Sequence, residues 1–137
     1  MTIDPTTATL DECRDWLARR AGWAKITDGD SGRWFWHIPG VPTARDYYES
    51  PIPETLDAAA EAMPSGWYMH ELCDNRTEFG TPKYPWIARA SKQQGGRMPD
   101  EVRSTGETEI VTRFRLAVAC CMADDNRAKG DKETDHA

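Results

Sequence analysis

A short pattern that occurs twice sets most of what this chain can fold into. Thr9-Leu10-Asp11 opens a segment that closes on Gly22-Trp23, and Thr55-Leu56-Asp57 opens another that closes on Gly66-Trp67. A threonine hydroxyl can accept a free N–H at the start of a helix, and glycine takes the left-handed conformation that stops one. Aromatic-rich sequence follows each Gly-Trp. The pattern therefore predicts a helix followed by strands, repeated. It specifies folding, and it names no chemistry.

The first predicted helix begins with a capping box of Thr9 and Glu12. Its apolar stripe is Leu10, Cys13, Leu17 and Ala21, with Arg14, Asp15, Arg19 and Arg20 on the solvent side. The second is capped by Thr55, carries Leu56, Ala59, Ala60 and Met63 on one face, and stops at Pro64. A third should be capped by Ser104 and Glu107, with Ile110, Phe114, Ala117, Val118 and Cys121 recurring at helical spacing. Residues 23–26 and 33–38 read as a hairpin around the turn-forming run 27–32, with Trp34, Trp36 and Ile38 on one face. Residues 66–73 and 84–90 read as a second hairpin, Pro85 delaying the start of its later strand.

Between these elements lie a connection at 39–54 with four prolines (Pro39, Pro42, Pro51, Pro53), a polar loop at 74–83, and a polar, flexible loop at 91–103 containing Gly95-Gly96. From Asp124 onward no large apolar residue remains, and the reading is disorder. The expected fold is thus α+β, an αβ sandwich of three helices and one antiparallel sheet of about four strands, in the order α-ββ-α-ββ-α. One domain should cover 8–123, with flexible ends at 1–7 and 124–137.

A chain of 137 residues can bury roughly two thirds of its unfolded surface without a staple. Only 39% of it is apolar, but six tryptophans, four tyrosines and three phenylalanines compensate through their large buried area. The net charge of −6 argues against non-specific binding to nucleic acid or to an anionic membrane. No apolar run is long enough to span a bilayer, and the first eight residues lack the basic end and apolar centre of a signal peptide. Cys13, Cys73, Cys120 and Cys121 include no C-x-x-C spacing, so reduced, packed thiols in a cytosolic protein are expected.

Tyr47-Tyr48, a short Pro/Ser segment, the run 55–63, Gly66-Trp67, the stretch 86–90 and the late helix at 113–119 together resemble the phage ABA sandwich family. The resemblance covers roughly residues 47–122, with 11–36 weaker. It implies a small bacteriophage or prophage protein acting inside the bacterium, and it brings no catalytic residues with it. The proline connection at 39–54 and the charged tail depart from the family pattern.

Few constellations invite chemistry. The run Asp28-Gly29-Asp30-Ser31-Gly32 begins like a calcium loop, but Arg33 and Pro39 stand where such a loop needs glycine and glutamate. His37 and His70 would need a carboxylate to hold zinc, and Glu71 points away from His70 on an alternating strand. No phosphate loop or serine elbow is present. Trp34, Trp36, Trp67, Tyr68 and Trp86 read first as core, and second as a stacking platform for a base. In that second reading Arg33, Trp36, Tyr68, Trp86 and Arg89 form a ligand-binding pocket, with Arg33, Arg89 and Lys92 meeting a phosphate.

The sequence therefore predicts no enzyme, no catalytic residues, no metal and no cofactor. It predicts a phage accessory protein in the host cytoplasm that binds a host or phage protein, an inhibitor of bacterial defence being one version. The alternative is a protein that binds or sequesters a nucleotide.

Overall fold

In the computed structural model, residues 3–27, 29–30, 32, 34–38, 50–76, 84–94 and 97–135 are described, the side chains of 93–99 and 128–135 excepted. The first helix, α1, spans Leu10–Arg20. Thr9 accepts from Glu12 N at 3.2 Å while Glu12 accepts from Thr9 N at 3.1 Å, so the predicted capping box forms. At its other end Trp23 N donates to Ala18 O and Gly22 N to Arg19 O, both at 3.0 Å, with Gly22 at φ 101°. That double bond satisfies carbonyls the helix would leave open, and glycine reaches the required conformation most easily.

Strands β1 (Ala24–Thr27) and β2 (Trp34–His37) pair as the expected antiparallel hairpin. Helix α2 is a short piece, Leu56–Glu61, with Thr55 accepting from Ala58 N at 3.1 Å. Its buried residues are Ala58 and Ala59; Leu56 and Ala60 are exposed, so the inward face sits slightly off the predicted one. Pro64 O then accepts from Trp67 N, with Gly66 at φ 89° in the third position of that turn. Gly66 thus launches a strand, whereas Gly22 stops a helix.

Strands β3 (Trp67–Asp74), β4 (Trp86–Gln94) and β5 (Arg97–Gly106) form an antiparallel sheet in the order β3-β4-β5. Two expectations are corrected here. The sheet of about four strands is instead two sheets, of two and three strands, in the order α-ββ-α-βββ-α. The region 91–103, expected to be a flexible loop, supplies the end of β4 and most of β5. Gln94 pairs with Arg97 at the end of the β4–β5 ladder. Polarity misled the reading because this sheet has one water-facing side, where polar residues belong.

Helix α3 spans Glu109–Asp135. Its cap is Thr108, which accepts from Val111 N at 3.4 Å; Ser104, expected in that role, lies buried in β5. The helix runs on through the segment expected to be disordered. A helix already nucleated extends at low cost, and the polar run holds good helix formers. Asp124, Asp125 and Arg127 also tie it back, to Lys92, Arg20 and Asp100.

Helix α3 is the middle layer. On one side Phe114, Ala117, Val118 and Cys121 pack with Cys13, Trp16 and Leu17 of α1 and with Ala58 and Ala59 of α2. On the other, Leu116 and Cys120 pack with Trp67, Ala88 and Ala90 of the three-stranded sheet. Buried Arg115 pins the layers, its Nε donating to Ala8 O at 2.8 Å and its Nη1 to Thr105 O at 3.0 Å. Of the four strand tryptophans expected in the core, Trp36 and Trp67 are buried, Trp86 is half-buried and Trp34 is exposed.

Candidate functional site: a cleft between the first helix and the hairpin

Residues at spacings of three and four share a helix face, so α1 presents Asp11, Arg14 and Asp15 together. In the hairpin Lys25 pairs with Trp36 and Thr27 with Trp34, so alternation puts Lys25, Trp34 and Trp36 on one side. These two surfaces, with Ser50, Pro53 and Glu54, line a cleft of about 680 Å³. Arg14 fixes the third wall by donating from Nε to Ile52 O at 2.9 Å.

Trp36 is 2% exposed and forms the floor, while Trp34 stands 57% exposed at the mouth. The Lys25 ammonium lies 5.5 Å from the Trp36 ring centre and 5.9 Å from that of Trp34, and 3.4 Å from Asp15 Oδ2. The Arg19 guanidinium approaches Trp36 as well, at 5.6 Å. The cleft is therefore built of indole faces and carboxylates around a resident cation.

Three carboxylates line it against two cations, and both cations are engaged within the chain: Lys25 with Asp15, and Arg14 with Asp11 Oδ1 at 3.1 Å. Glu54 makes no ion pair among the described residues. Among the described residues the lining contains no imidazole and no thiol. These residues can stack, bond and attract charge.

The predicted ligand residues do not converge. Arg33 lies outside the described residues. Trp36 belongs to the hairpin sheet. Tyr68 and Arg89 share the face of the three-stranded sheet turned away from α3, where Arg89 lies between Glu71 (3.2 Å) and Glu101 (3.9 Å). Trp86 alternates to the opposite face, beside Arg76 at 6.0 Å. His37 and His70, weighed for zinc, stand in different sheets, and no group of three metal-ligating side chains occurs among the described residues.

Cys13, Cys120 and Cys121 are packing groups of the two cores. Burial pushes Cys13 up to about 11 and Cys120 up to about 12, and raises Cys121 as well. No described helix is long and apolar enough to cross a membrane. Sequence reasoning missed Asp11, Arg14, Asp15, Lys25 and Glu54 as site residues. The spacing of Asp11 to Asp15 held one clue, and the paired register of the hairpin held the other, since it sets Lys25 beside Trp36.

Comparison with protein-family models, with curated proteins and with solved structures finds no match.

Proposed function

We propose that this is a non-enzymatic phage accessory protein that binds a host protein in the host cytoplasm, an inhibitor of bacterial defence being one form of that role. The observation that carries the binding role is Trp34, an indole held 57% exposed on a short hairpin at the mouth of a cleft. Leaving that much apolar area in water is unfavourable, and tryptophan is among the residues that contribute most to protein interfaces. The phage setting rests on the resemblance of residues 47–122.

The test is affinity capture from bacterial lysate, with wild type and Trp34→Ala as parallel baits. A protein recovered reproducibly by wild type and lost with the variant is expected. Recovery of the same proteins by both baits, or of none by either, sinks the proposal.

The nucleotide reading draws on Trp34 as a stacking surface, since Trp36 is buried. The charge of the cleft opposes it, because carboxylates outnumber cations and both cations are already engaged. A nucleotide that raises the melting temperature of wild type but not of Trp34→Ala would reverse that preference.

A further inference from the structure

The cleft's charge and shape suit a cation better than an anion or a plain apolar anchor. A phosphate entering it would meet Asp11, Asp15 and Glu54, while Arg14 and Lys25 point their donors into their own chain. An aliphatic anchor would leave those carboxylates beside an apolar group and strip their water, which costs free energy. A cation offsets that cost by pairing with the carboxylates, and the protein itself supplies the precedent. Lys25 Nζ lies within 6 Å of two indole centres and 3.4 Å from a carboxylate. Such a cage of aromatic faces and acid is how proteins hold ammonium and guanidinium groups.

Capacity remains for a second cation. More than half of the Trp34 surface is uncovered. The Asp11 side chain is 84% exposed and shares one contact with Arg14, and Glu54 makes no ion pair among the described residues. A planar guanidinium can stack on an indole while bonding a carboxylate at its edge, which a compact ammonium cannot do.

We infer that the cleft receives an arginine side chain from a basic segment of the protein it binds, stacked on Trp34 and neutralised by Glu54 and Asp11. This inference rests on the docking role proposed above and names the chemistry of the partner.

Titration calorimetry and tryptophan fluorescence of the full chain would test it with three short peptides that alternate glycine with arginine, lysine or glutamate. The arginine peptide should bind most tightly, the lysine peptide more weakly, and the glutamate peptide not at all. Trp34→Ala should weaken the arginine peptide about tenfold, the equivalent of one good cation–π contact. Glu54→Gln should weaken it several-fold. Glu107→Gln, which removes the same charge from an exposed position outside the cleft, should leave it unchanged. Circular dichroism and melting of each variant separate loss of binding from loss of fold.

No binding of the arginine peptide overturns the inference. So does binding that survives Trp34→Ala, or that falls equally with Glu107→Gln, since either shows diffuse attraction to an acidic protein. If lysate capture remains dependent on Trp34 while the arginine peptide fails to bind, the docking role stands and the arginine assignment falls.

Discussion

The two units opened by Thr-Leu-Asp share their first residues and differ in what covers them. In the first, α1 leads into a two-stranded hairpin, and buried Trp36 belongs to neither of the two cores that flank α3. In the second, α2 leads into a three-stranded sheet whose Trp67 packs under α3 and donates from Nε1 to Asp124 Oδ1 at 3.0 Å. A hairpin of two strands is marginal alone, whereas three strands roofed by a helix are not. The difference teaches that α1 and the second unit are scaffold, while the hairpin of the first unit presents a surface. Binding elements are commonly drawn from the less stable part of a fold, and the candidate cleft lies on the hairpin unit.

The largest effect that can break this comparison is a pair of tryptophan truncations. Trp67→Ala should cost about 3–5 kcal/mol, the usual range for a core tryptophan. Trp36→Ala should cost less than about 2 kcal/mol of global stability, because the hairpin can open locally while α3 keeps both cores. Denaturant titration monitored by far-UV circular dichroism measures both. Equal losses would show that the hairpin is as much scaffold as the sheet.

Asp124 sharpens the scaffold side. Its Oδ1 accepts from Trp67 Nε1 and also from Lys92 Nζ at 2.9 Å, joining α3 to β3 and β4. Burial raises the pKa of its carboxyl, but the hydrogen bonds from Trp67 and Lys92 and the charges of Lys92 and Arg20 outweigh that and hold it below 3.8. A depressed folded-state value means that the ionised form stabilises the fold at pH above 3.8, and that this contribution fades as pH falls through the lower folded value. Asp124→Asn should therefore cost about 1.5–3 kcal/mol at neutral pH, typical for a hydrogen-bonded charge. Urea titrations of wild type and variant at several pH values should show the gap closing in acid. A gap independent of pH would mean that the carboxylate's charge is not what holds the layers.

Local elements were legible in the sequence, and their assembly was not. The Thr9-Glu12 box, the Gly22 stop, the hairpin and the face of α3 carrying Phe114, Ala117, Val118 and Cys121 were each written in a few neighbouring residues. Whether two hairpins share hydrogen bonds depends on edges that sequence periodicity does not describe, and the edge strand β3 carries a register shift between Met69 and Glu71 that disrupts its ladder. Strand β5 was hidden because its exposed side is polar. Leu116 and Cys120 give α3 a second buried face, which made a single apolar stripe an incomplete description. At the site, the tryptophans were visible, but burial of Trp36 and exposure of Trp34 follow from how α1 lies against the hairpin. The partners that matter, Lys25 and Asp15, look like ordinary surface charges in the sequence.

The two glycines offer a smaller and opposite test, of what the units share. Gly22 and Gly66 sit at φ 101° and 89°, and a side chain at Gly22 would meet nothing within 4 Å, while at Gly66 it would only touch Lys92 Cε at 3.4 Å. Space is thus available at both, and the penalty is conformational. Alanine at either should cost about 1–2 kcal/mol, the strain of a left-handed backbone for a residue with Cβ. Thermal melts of Gly22→Ala and Gly66→Ala should shift by similar amounts. A shift at Gly66 alone would show that the helix stop in the first unit is dispensable, and would widen the contrast between the units.

The smallest expected effect on stability separates presentation from support most cleanly. Trp34 is 57% exposed and belongs to neither core, so Trp34→Ala should change the unfolding free energy by no more than about 0.5 kcal/mol. Its one described ring contact, with Lys25 at 5.9 Å, leaves Lys25 still beside Trp36 and Asp15. A surface indole kept for folding would fail this test by costing a kilocalorie or more on removal. An indole kept for a partner should leave the melting curve where it was and abolish capture of the partner protein, and that combination in a single variant is the outcome expected of the hairpin as a presenting element.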